Sequence, residues 1–169
     1  MAEWVGNDLY FAIRCDEAVG QASSLPPDRT PDTRQAGGSP QLNIATLKDG
    51  DQAIWYGDLI EIELATDAHD YYQLAINPAG ALVDLDRGAP RNQWFNWSSK
   101  ADVATHVADD YWTVEVRIPV TQDANDPLHQ VIGHKPTQSL PWHINVCRQR
   151  IRDNGTEYSA FSPTGTAGF

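Results

Sequence analysis

Leu59-Ile-Glu-Ile-Glu-Leu64 decides the fold class of this chain. Ile60, Ile62 and Leu64 take one set of alternate positions, and Glu61 and Glu63 take the other. That is the period-2 pattern of a strand with one face in a core. Downstream, Tyr71-Tyr-Gln-Leu-Ala-Ile-Asn77 continues the alternation, and Asn77-Pro-Ala-Gly80 supplies turn chemistry. Residues 81–86 then read as the returning arm of a hairpin. Upstream, Leu9-Tyr-Phe-Ala-Ile-Arg-Cys15 puts Leu9, Phe11 and Ile13 on one side. The second half repeats the theme at residues 101–107, 111–119, 142–148 and 156–161. In the stretch from 111 to 119, Trp112, Val114, Val116 and Ile118 share a side, and Pro119, which has no N–H, is expected to end the strand.

Seven or eight short strands with one-sided polarity predict an all-β fold, an antiparallel sandwich of two packed sheets of the immunoglobulin or jelly-roll kind with long loops. Ile60, Ile62, Leu64, Leu74, Ile76, Val114, Val116, Ile118, Ile144 and Val146 are expected to share its core. Two stretches break the rhythm. Residues 17–50 hold Pro26, Pro27, Pro31 and Pro40 with Gly37-Gly38-Ser39, and read as a long surface excursion whose 17–40 part is the most mobile of the chain. Residues 121–141 read as a second loop.

The chain has 169 residues, enough for a single domain over 1–169. Its 12 basic residues against 23 acidic ones leave a net charge of −11, which gives no electrostatic footprint for nucleic acid or an anionic membrane surface. No apolar run approaches the roughly 18 residues of a membrane span, so no membrane insertion is expected. The start, Met1-Ala-Glu-Trp-Val-Gly-Asn-Asp8, has neither a basic nor an apolar leader region, so no signal peptide is legible.

Aromatic residues are the first candidates for chemistry. Trp94-Phe95-Asn96-Trp97 sets three rings in a polar segment where not all can be buried. Trp55 precedes Tyr56-Gly57-Asp58, a turn into the 59–64 strand, and is expected at a sheet margin with little share in the core. Exposed rings mark recognition surfaces, and an indole face suits the C–H face of a sugar. Glu61 and Glu63 lie roughly 7 Å apart by strand rise, within the range of glycosidase carboxylate pairs, and Glu115 offers a third acid. Histidines 69, 106, 129, 134 and 143 lack metal-ligand spacing and read as solvated loop residues. Asp84, Asp86, Asp109, Asp110, Asp123 and Asp126 fall in turn-rich regions where a structural calcium is conceivable, although no twelve-residue calcium loop exists. No nucleophile elbow or phosphate loop is present. Cys15 and Cys147 read as buried free thiols.

Taken together, Trp55-Tyr-Gly-Asp-Leu-Ile-Glu-Ile62, Tyr71 to Gly80, Tyr111-Trp-Thr-Val-Glu-Val-Arg-Ile-Pro119, Trp142 to Arg148 and Phe161-Ser-Pro-Thr-Gly165 resemble the family 9 carbohydrate-binding modules and their DOMON relatives. The resemblance implies a β-sandwich that binds a mono-, oligo- or polysaccharide without catalysis, as a module of a larger glycan-processing or cell-surface protein. No cofactor is expected, and the resemblance implies an extracellular or periplasmic location. It casts Trp55 as the stacking ring and Glu61 as the acid that bonds a hydroxyl, with Gln73, Asn77, Arg148 and Phe169 completing the sugar site. Two positions depart from the family pattern: Ala75 where binding members carry arginine, and Cys147 where they carry an amide. By the same resemblance the chain starts at the family's third strand and stops before its closing strand. Two other readings compete, a glycoside hydrolase using Glu61, Glu63 and Glu115, and a haem-binding DOMON-type domain needing two histidines in one pocket.

Overall fold

The computed structural model describes residues 1–17, 42–125 and 130–165. Ten strands follow one another: β1 (Ala2–Val5), β2 (Asp8–Asp16), β3 (Leu59–Ala65), β4 (Tyr72–Ile76), β5 (Leu82–Asp86), β6 (Asp102–Val107), β7 (Tyr111–Thr121), β8 (Val131–Ile132), β9 (His143–Arg152) and β10 (Gly155–Ala160). One sheet runs β1-β2-β7-β6, with β8 added parallel to the end of β7. The other, fully antiparallel, runs β10-β9-β3-β4-β5. The β4–β5 hairpin closes over Asn77–Gly80, where Gly80 takes φ +87°, a left-handed conformation that favours glycine.

The two sheets pack face to face, because alternation sends one residue set from each inward. Ile60, Ile62, Leu64, Leu74 and Ile76 from one sheet meet Leu9, Phe11, Trp112, Val114, Val116 and Ile118 from the other, all essentially buried. Ile144 packs against this core, and Val146 is only half-buried. The chain is an all-β sandwich.

Four local expectations need correction. β7 does not stop at Pro119 but runs on to Thr121. The Val120 N–H bonds Asn7 on the β2 side, so the Pro119 nitrogen faces the other edge, where β6 has already ended opposite Arg117. Proline costs no ladder bond there. Within residues 121–141, Val131 is fully buried in β8, and Thr66 Oγ1 donates to the Ile132 carbonyl at 2.7 Å, so that part is pinned. Of the 17–50 excursion, Glu17 is buried, and Thr46 and Asp58 anchor the stretch from 42 to 50. The mobility expected of 17–40 concerns residues almost wholly outside the described ones. Finally, His69 is no solvated loop residue. It bonds Asp86 at 2.5 Å and stacks on Tyr72, which stacks in turn on Trp97.

Candidate functional site: a cleft on the outer face of the second sheet

Because Ile60, Ile62 and Leu64 point inward, Leu59, Glu61 and Glu63 point outward, and register extends that outer face across the sheet. Glu61 lies opposite Ala75 on β4 and Cys147 on β9, and Glu63 lies opposite Gln73. This outer face is not left to water. Leu59, Ala75, Val83 and Leu85 form a second, smaller apolar cluster with Ile54, and Trp55 and Trp94 pack on it.

Two 3-10 turns bring those tryptophans in. The turn at Gln52–Tyr56 is capped by Asp51, whose carboxylate accepts from Ala53 N–H at 2.9 Å and Thr46 Oγ1 at 2.7 Å. Gly57 closes it against the 43–45 segment, where a Cβ would lie 2.6 Å from the Asn43 carbonyl oxygen. The turn at Arg91–Asn96 carries Trp94, whose indole N–H donates to the Ala89 carbonyl at 2.9 Å. Trp55 and Phe95 meet edge to face at 6.3 Å. Between the turns lies a cleft of about 710 Å³, floored by Glu61, Gln73 and Gln149 and walled by Trp55, Tyr56, Trp94 and Phe95, with Arg87 and Arg91 at one side.

The floor is a connected polar row. Trp55 Nε1 donates to Glu61 Oε1 at 2.6 Å, Gln73 also hydrogen-bonds the Glu61 carboxylate, and Arg87 Nη1 donates to Gln73 Oε1 at 3.0 Å. Gln149 Nε2 donates to the carbonyls of Trp55 and Gly57, which ties β9 to the first turn. Burial pushes the Glu61 carboxyl above its ordinary value near 4.5. The Trp55 and Gln73 donors pull it back, neighbouring Glu63 adds to the rise, and Arg87 opposes it. Glu63 is raised by burial too, against Arg87 and Asn145. The floor therefore presents a carboxylate held by neutral donors, with no ion pair among the described residues.

Of the residues expected in a sugar site, the structure brings Trp55, Glu61 and Gln73 together. It does not bring Arg148, which shares the inward face of β9 with Ile144 and Val146, pairs with Ile60 in register, and is ion-paired to Glu17. Nor does it bring Asn77. Asn77 is buried at the β4–β5 turn, donating to the Thr46 carbonyl and accepting from Ala79 and Ala81 N–H, so three of its four hydrogen bonds serve the fold. Phe169 lies outside the described residues. Trp55 is half-buried rather than free at a margin.

Glu115 sits exposed on β7 of the other sheet, so it cannot join Glu61 and Glu63. Asp84 is taken up by Ser99, and Asp86 by His69 and the Gly88 and Ala89 amides. Among the described residues no cluster of three or more His, Cys, Asp or Glu could hold a metal ion. Cys15 and Cys147 are both buried and free, and burial raises the Cys147 thiol to about 12, helped by Glu63 and Glu61.

Sequence reasoning missed Arg87, Trp94 as a cleft wall, and Gln149. Parity carried a signal for Arg87 and Gln149, and for the need of a cover that Trp94 supplies. Val83 and Leu85 are apolar on the face where Glu61 lies, so something must cover them, and Arg87 continues their row. Gln149 continues the row of Cys147.

No protein-family profile matches this chain, and no curated protein matches it. Among solved structures, a Bacteroides uniformis protein described as a "putative carbohydrate-binding protein" superposes with a TM-score of 0.48 at 12% identity. The match covers 94% of this chain, which spans 65% of that protein. A superposition of that quality transfers no ligand and no site.

Proposed function

We propose that this domain binds carbohydrate without transforming it, in the cleft walled by Trp55, Tyr56, Trp94 and Phe95. One observation carries the proposal: a buried carboxylate, oriented by Trp55 Nε1 at 2.6 Å and by Gln73, lies at the foot of an aromatic-walled cleft. A sugar ring needs both elements, flat π surface for its C–H face and an oriented acceptor for its hydroxyls. The resemblance to family 9 carbohydrate-binding modules points the same way. It favours an extracellular or periplasmic module of a glycan-processing protein.

Catalysis by a carboxylate pair is the weaker reading. Glu115 is on the far sheet, and both Trp55 and Gln73 spend their donors on Glu61, which suits recognition better than proton transfer.

Titration calorimetry against a panel of neutral and acidic mono- and disaccharides tests the proposal. Saturable one-to-one binding by at least one member, lost in Trp55→Ala, is expected, together with no turnover of aryl glycosides. A panel without a binder, or binding that survives Trp55→Ala, would contradict it.

A further inference from the structure

The described arginines divide into two groups. Arg14, Arg117, Arg148, Arg150 and Arg152 are each ion-paired with at least one carboxylate within 3.0 Å. Arg87 and Arg91 are the two described arginines left over, and both line the cleft. Neither has a carboxylate at ion-pair distance among the described residues, in a chain of net charge −11 where acids are in surplus. Glu61 and Glu63 feel the Arg87 charge from further away. Glu61, the single acid lining the cleft among the described residues, has its donors already in Trp55 and Gln73.

Arg87 is held in place, and Arg91 stands exposed beside it. Arg87 lies over Trp94, 4.0 Å from the ring centroid, and donates to Gln73, while its Nε is buried without a partner among the described residues. Arg91 leans over the same ring at 5.7 Å and makes no hydrogen bond among the described residues. The Arg87 guanidinium, stacked on the indole, is fixed in plane, and Arg91 within cation–π range adds a second charge with its N–H edge open to a planar, two-oxygen acceptor.

Resting on the proposed carbohydrate reading, we infer that the cleft selects an acidic sugar, a hexuronic acid or an oligosaccharide ending in one. Its carboxylate is taken by Arg91 and Arg87 beside Trp94, and a hydroxyl at its other end is taken by Glu61. The charge order of the cleft, acid at the Trp55 end and cations at the Trp94 end, sets the direction in which the ring enters. Neutral sugars fill the same space but leave the cations unmatched.

The test compares matched pairs on the full chain by calorimetry: glucuronic acid against glucose, and galacturonic acid against galactose, in low and high salt, with glucose 6-phosphate as a separate anionic arm. At least one uronic acid is expected to bind about ten-fold or more tightly than its neutral partner, as charge-assisted bonds allow. Salt should narrow that ratio. Arg91→Gln should bring the ratio to within about two-fold of unity, and Arg91→Lys, which keeps the charge, should retain part of it. A uronic acid that binds no better than its neutral partner overturns the inference and leaves the carbohydrate reading standing. So does a preference that survives Arg91→Gln, or a sugar phosphate that outbinds both uronic acids. Binding by no member of either class overturns both.

Discussion

Glu17 and Glu61 are both buried, at 6% and 2% exposure, yet they keep opposite company. Glu17 sits among Arg148, Arg150 and Arg152 of β9, and Arg152 in turn bonds the buried Asp58 at 2.7 Å. Among the described residues Glu61 has no cation within ion-pair distance, and it is held by an indole and an amide. One strand separates the two situations: β9 sends Arg148, Arg150 and Arg152 to one side of the sheet and Cys147 and Gln149 to the other. A carboxylate neutralised by arginines closes a structure. A carboxylate held by neutral donors at the foot of a cleft keeps its charge for something that enters.

Removing Glu17 has the largest expected effect. Glu17→Ala leaves three arginines facing one another without their shared partner, and should cost roughly 3–5 kcal/mol in denaturant melts. Sugar affinity should hold at temperatures where the variant stays folded. A loss of under about 1 kcal/mol would mean that the cluster is solvated and does not anchor β9.

Trp55→Ala should remove binding altogether and cost roughly 1–3 kcal/mol. That is less than a core tryptophan, because this ring is only half-buried, but it is not zero, because it packs on Leu59, Val83 and Leu85. Trp55→Phe sharpens the point. It keeps a ring but removes the donor to Glu61, so the Glu61 carboxyl should titrate higher still, which NMR of the side chain would show.

How much of this was legible in the sequence follows from parity. The strands with strict alternation, Leu59–Leu64 above all, announced both the sandwich and the identity of its core residues. The same alternation already argued against Arg148 as a site residue, since it falls in step with Ile144 and Val146, which face inward. Asn77 has the parity of Gln73, but the turn draws its side chain beneath the backbone, and hydrogen-bond demand at a turn is not visible in a period. The short strands β1 and β8 carry too few residues for a pattern. The 3-10 turns that build the cleft walls have no periodic signature, so Trp55 was legible as unusual but not as half-buried, and the pairing of Arg87 with Gln73 depends on tertiary contact alone.

Glu61→Gln separates the two glutamates in another way. Burial raises the Glu61 carboxyl above its ordinary value near 4.5, so between that value and the folded one the native state holds a proton that the unfolded chain has lost. Stability therefore declines as pH rises through that interval. The variant should lose part of this decline, with the Glu63 share remaining, and should be no less stable at neutral pH. Sugar affinity should rise with pH over the same interval as Glu61 ionises, and Glu61→Gln should weaken binding by about 1.5–3 kcal/mol and flatten that profile. Thermal melts and calorimetry across pH 4 to 8 would read both, with an equally steep binding profile in Glu61→Gln as the contrary result.

The smallest effect concerns Cys15 and Cys147. Burial raises the two thiols to about 11 and about 12, so a thiol reagent at neutral pH should find neither in the native protein and both after denaturation. Rapid native labelling of Cys147 would mean that the sheet face beside Glu61 opens.

The proposed binding mode sets the sugar between Trp55 and Trp94, against Glu61. Titrating neutral and acidic sugars into isotope-labelled protein, while following the indole N–H signals of Trp55 and Trp94 and the side-chain amides of Gln73 and Gln149, tests it most directly. Saturable shifts confined to those signals, with the indole signals of Trp112 and Trp142 unmoved, are the predicted result. Saturable shifts elsewhere, or none with any sugar at millimolar concentration, would contradict it.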